Sequence, residues 1–63
     1  MPILRKGQKV TIFQDPISQH QSEGEATLIA FKASDDDNTM ELWEVRFDGD
    51  HPDEIYDRTI KVK

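Results

Sequence analysis

Sixty-three residues without a cysteine make one domain, close to the lower size at which a single hydrophobic core holds a chain unaided, with no disulfide or thiolate metal site to help. Charged residues account for 33% and hydrophobic ones for 35% of the chain, a balance that borders on disorder and is offset by apolar residues patterned at strand spacing. The net charge of -5 conceals a segregation: all thirteen acids lie between Asp15 and Asp57, whereas Arg5, Lys6, Lys9, Arg58, Lys61 and Lys63, six of the eight bases, lie outside that span.

No uncharged apolar stretch approaches the length of a bilayer span, and the N-terminus lacks the apolar run followed by small residues of a signal peptide. A soluble, cytoplasmic protein with no membrane contact is expected. If the first and last strands are neighbours, the two basic ends form one patch on an otherwise acidic particle.

In chain order, Lys6-Gly7-Gln8 signals a turn, and Lys9 to Phe13 follows as a strand with Val10 and Ile12 inward. Gln14 to Gly24 shows no period and reads as a long loop, pinned to the barrel by its one large aliphatic residue, Ile17. Glu25 to Phe31 is a second strand with Ala26, Leu28 and Ala30 on one face and Thr27, Ile29 and Phe31 on the other. Both faces are apolar, so the strand is either covered twice or bends part-way. Ala33 to Thr39 holds three aspartates and Asn38 and reads as a hairpin loop, with Asp37 or Asn38 taking the left-handed position.

Met40 to Phe47 carries the clearest signal. Trp43, Val45 and Phe47 alternate with Glu44 and Arg46, which gives a central strand with a dry face and a wet face. Asp48-Gly49 closes it with a pair suited to positive φ. Glu54 to Tyr56 returns as a short strand with Ile55 inward; one helical turn is the competing assignment, since Pro52 suits a first helical position and Asp53 and Glu54 the positive helix end. Asp57-Arg58 makes a tight corner, and Thr59 to Lys63 is the last strand. The sum is all-β: five short strands that close most economically as a small, partly open barrel.

Lys6 to Ile12, the Glu23-Gly24-Glu25-Ala26-Thr27-Leu28 re-entry, Trp43 to Asp50 and Asp57-Arg58-Thr59-Ile60 together resemble the SH3-like small barrels, in particular the KOW and Tudor-like branch. The likeness spans nearly the whole of residues 1–63 and implies a binding module without choosing a ligand. The chain departs from each branch. Gln14 to Gly24 lacks the aromatics of a peptide-binding SH3 loop, Trp43 and Phe47 are assigned to the core instead of a Tudor cage, and the composition is not basic as in a nucleic-acid-binding KOW module.

Catalytic chemistry finds no foothold. His20 and His51 sit in polar loops without a partner at helical or hairpin spacing, and no serine has an activating base or oxyanion-type glycine context. The runs Asp35 to Asn38 and Asp48 to Glu54 lack the alternate spacing of a calcium loop. They read as solvated turns, and a cation site would require the two loops to converge. No enzyme and no cofactor are expected.

The resulting expectation is a monomeric or weakly self-associating module that meets a basic protein partner through its acidic loops. Asp36, Asp37, Glu44, Arg46, Asp48, Asp50 and Tyr56 are the candidate contact residues. Nucleic-acid association through the basic ends is the alternative, disfavoured because the acids repel a polyanion over the rest of the surface.

Overall fold

The computed structural model describes residues 2–49 and 53–62. Four strands form one antiparallel sheet in sequence order: β1 (Lys9–Phe13), β2 (Ser22–Ser34), β3 (Met40–Phe47) and β4 (Tyr56–Lys61). The sheet curls into a half-barrel whose edge strands β1 and β4 approach each other. The described residues contain no helix, and so none long and apolar enough to cross a membrane.

Alternation decides the inner face. Trp43 and Val45 of β3, Ala26 and Leu28 of β2, Ile12 of β1 and Ile60 of β4 form the buried core. Leu4, Val10 and Phe47 pack against it half-buried. Two turns follow from residues that tolerate a positive φ: Asn38 (φ 55) in the β2–β3 hairpin and Gly49 (φ 88) after β3. Asp35 organises the hairpin. Its carboxylate accepts from the Thr39 hydroxyl at 2.6 Å and from the Thr39 and Met40 amides at 2.8 and 3.2 Å. These bonds, the Thr39 hydroxyl foremost, hold the Asp35 carboxyl below its usual range.

Four strands replace the five expected. Asp57 and Arg58 do not turn; they pair in register with Glu44 and Trp43, so the two short strands foreseen at the C-terminal end are one, β4. The charges that signalled a corner are satisfied on an extended backbone, because Asp57 meets Lys32 at 3.1 Å and Arg58 meets Glu23 at 2.9 Å. Glu54 and Ile55 are neither strand nor helix. Ile55 is 40% exposed, and Tyr56, opposite Val45, takes the inner side in its place. Ile17 pins nothing, being 68% exposed. Its loop is held by Asp15, which accepts from the Ile17 and Ser18 amides at 2.9 and 3.3 Å, bonds that hold the Asp15 carboxyl low.

β2 extends over thirteen residues and carries two irregularities against β3. Leu28 faces Val45 and Ala30 faces Glu44, leaving Ile29 as an extra residue; Phe31 faces Trp43 and Ala33 faces Leu42, leaving Lys32 as another. An inserted residue reverses which side of the strand points inward. Phe31, expected on the face opposite Leu28, therefore shares the face of Trp43 and meets its ring edge-on at 5.5 Å. The bends this introduces let one strand serve a curled sheet.

The least expected core member is Glu41, 2% exposed on the inner face of β3. Its Oε2 accepts the Ile3 amide at 2.5 Å, and its Oε1 accepts the Leu4 amide at 3.1 Å and the Trp43 indole Nε1–H at 3.0 Å. Burial pushes the carboxyl up and is the largest single influence. The Ile3, Trp43 and Leu4 donors, together with the positive charge of the amino terminus, outweigh it, so Glu41 is held below the ordinary glutamate range.

Replacing Glu41 with Gln turns an amide donor toward at least one of those three N–H groups. The variant should lose about 1 to 3 kcal/mol at neutral pH. A depressed carboxyl contributes fully above its unfolded value and loses that contribution as pH falls through the folded one. Urea denaturation of both proteins should therefore show a gap at neutral pH that narrows below about pH 4; equal stabilities at neutral pH would contradict the assignment.

Candidate binding site

Where β3 ends and β4 begins, the inner face opens into a hollow of about 370 Å³ lined by Glu23, Gly24, Phe47, Asp48, Tyr56 and Arg58. Strand parity builds it. Tyr56 lies opposite Val45 and Arg58 opposite Trp43, so both β4 side chains stand on the same face as Phe47. Trp43 is not part of it, since its ring edge goes to Phe31 and its indole N–H to Glu41. On β2, Gly24 (φ 125) sits opposite Ile12 beside a shift of register, a backbone state natural to glycine.

Phe47 and Tyr56 meet edge-to-face with centroids 5.8 Å apart. The Arg58 guanidinium carbon lies 5.6 Å from the Phe47 centroid and 5.4 Å from that of Tyr56, within range of attraction by both ring faces. Its Nε donates to Glu23 Oε2 at 2.9 Å, its Nη2 to Glu23 Oε1 at 3.4 Å and its Nη1 to the Asp57 carbonyl at 2.9 Å. Asp48 continues the ladder, its amide donating to the Glu25 carbonyl at 2.9 Å. The Asp48 carboxylate pairs with Lys9 at 2.9 Å in an exposed bridge, a kind of contact worth little and readily exchanged.

The candidate residues distribute unevenly. Asp48 and Tyr56 come together in the hollow. Asp36 and Asp37 are exposed at the tip of the β2–β3 hairpin. Glu44 and Arg46 lie half-buried on the outer face, opposite Ala30 and Thr27 of β2. Asp50 lies outside the described residues, as do His51 and Lys63. Asp36 and Asp37 lie beyond one end of the eight residues of β3 and Asp48 just beyond the other, a separation of roughly 25 Å at strand rise, so these carboxylates do not converge on a cation. Among the described residues no group of three potential metal ligands is gathered.

Lys9 and Arg58 are held in ion pairs with Asp48 and Glu23, while Arg5 and Lys6 stand exposed on the N-terminal segment. Glu23, Phe47 and Arg58 were not among the candidates. Continuing the strand alternation from Ile60 back through Arg58 to Tyr56 is the signal that finds two of the hollow's walls.

Searches against protein-family models, curated proteins and solved structures return no match for this chain.

Arg58→Gln removes the cation from both rings while keeping a polar side chain. It should shift the ring resonances of Tyr56 and Phe47 and cost no more than about 1 kcal/mol, as befits a partly exposed pair. Unchanged ring resonances would contradict the stacked arrangement.

Proposed function

We propose that this domain is a non-enzymatic protein-interaction or assembly module of the SH3-like barrel kind, and that it takes a basic segment of a cytoplasmic protein partner at the hollow between β3 and β4. The observation that carries the reading is that two aromatic rings and a carboxylate there already accommodate one guanidinium, that of Arg58. The same ring faces and carboxylates suit an incoming arginine or lysine. Asp48 is the group best placed to receive it, since its partner Lys9 is 63% exposed and easily displaced. Asp53 and Glu54, exposed just before β4, add to the field that steers a basic segment toward this hollow.

The hairpin tip, with Asp36 and Asp37, lies at the other end of β3 and serves as a second contact for a partner long enough to run along the sheet. Asp35 is not available to a partner because its carboxylate is committed to the turn. Nucleic-acid association through the basic ends is the weaker alternative, since thirteen acids repel a polyanion over the rest of the surface. Both SH3-like resemblance and four-stranded half-barrel favour a binding role over catalysis, because so small a curled sheet encloses little space from which water is excluded.

Immobilised domain should capture its partner from native lysate less efficiently as salt is raised from roughly 50 to 500 mM. Tyr56→Ala and Asp48→Asn should each weaken capture, and Asp36→Asn should weaken it less. Capture indifferent to both salt and Tyr56→Ala would exclude charge-led recognition at the hollow.

A further inference from the structure

At the other end of the inner face a larger groove, about 640 Å³, runs between the N-terminal segment and β2. Ile3, Ile29 and Phe31 form its apolar walls, Trp43 contributes to its floor, and Arg5 and Lys6 stand on its rim. Its walls are fixed. The irregularities of β2 bring both Ile29 and Phe31 to it, and Glu41 holds the Ile3 and Leu4 amides. Ile3 is 48% and Phe31 40% exposed, large side chains on a small domain that water is left to cover. Arg5 and Lys6 make no ion pair among the described residues, whereas Lys9, Lys32 and Arg58 all do. The groove therefore asks for an aliphatic side chain carried beside carboxylates.

The chain itself carries such a segment. Asp53, Glu54 and Ile55 precede β4 in an irregular, exposed stretch, with Ile55 40% exposed directly after two acids. Ile17 is the other exposed aliphatic outside the groove, but the acid near it, Asp15, is occupied by backbone amides of its own loop. We propose that the groove receives the Asp53-Glu54-Ile55 segment of a second copy, with Ile55 between Ile3, Ile29 and Phe31 and the two carboxylates against Arg5 and Lys6.

Groove and segment are different patches of one surface, so a single contact between two copies leaves one groove and one segment unused. These either meet reciprocally and close a two-fold dimer or take further copies into rings or open chains. One aliphatic anchor with two ion pairs is a small interface, of the transient class. The contact uses neither Asp48 nor Tyr56 and needs no foreign partner, so it and the proposed partner binding fail separately.

Sedimentation of the purified chain from roughly 10 µM to 1 mM, the range of weak contacts, should show a weight-average mass that rises with concentration above that of the monomer. Ile55→Ser should lower the association constant by about tenfold or more. Arg5→Glu with Lys6→Glu makes both patches acidic, and Asp53→Lys with Glu54→Lys makes both basic. Each doubly substituted protein alone should remain monomeric, while their equimolar mixture should associate again because each groove meets a segment of opposite sign. All four positions are exposed or irregular, and a dispersed NMR spectrum of each variant verifies folding. A wild-type chain that stays monomeric throughout, charge variants that associate alone as strongly as wild type, or a mixture that stays monomeric would each overturn the proposal.

Discussion

The carboxylate of Glu41 is the constraint on which the rest of this small structure depends. An ionised group on the buried face of a central strand is costly unless every lone pair that faces the protein finds a donor. Here the donors come from two places that have no other reason to meet, the backbone of Ile3 and Leu4 and the indole of Trp43. One side chain thereby lays the N-terminal segment across the open end of the half-barrel and fixes the largest core residue. Leu4 packs against the core beside it, and the Gly7 amide, donating to the Leu28 carbonyl at 2.8 Å, ties the same segment to β2.

The two ends of the inner face consequently differ in character. Near the β2–β3 hairpin, the Glu41 clamp and the irregular path of β2 leave an apolar groove with Arg5 and Lys6 on its rim. Near the start of β4, Phe47, Tyr56 and Glu23 surround a cation, with Asp48 alongside. A sheet of four strands thus offers a site suited to carboxylates at one end and a site suited to basic side chains at the other. The proposed self-contact and the proposed partner binding each use one of these two ends. The overall charge of -5 describes neither.

Much of the fold was legible in local pattern. The alternation of Trp43, Val45 and Phe47 placed the central strand, Val10 and Ile12 placed the first, and Asn38 and Gly49 marked turns, because each signal lies within a few residues of what it specifies. What escaped was non-local. Nothing within β2 announces that Ile29 and Lys32 are extra residues relative to β3, and that insertion moves Phe31 to the core side. Asp57-Arg58 read as a corner because its ionic partners, Lys32 and Glu23, are distant in sequence. Of the candidate contact residues, Asp48 and Tyr56 converge while Asp36, Asp37, Glu44 and Arg46 do not, since composition marks acidity and strand pairing decides convergence. Glu41 shares the parity of Trp43 and Val45, but a charged residue is rarely buried without partners, and its partners at Ile3 and Leu4 are distant in sequence.

The clamp is tested most directly by an NMR pH titration that follows the Glu41 side-chain carboxyl together with the Trp43 indole and the Ile3 and Leu4 amide protons. The account predicts a Glu41 midpoint below the ordinary glutamate value of about 4.3, with the indole and both amides shifting at that same midpoint. A midpoint at or above the ordinary value, or donors that do not respond when Glu41 titrates, would contradict it.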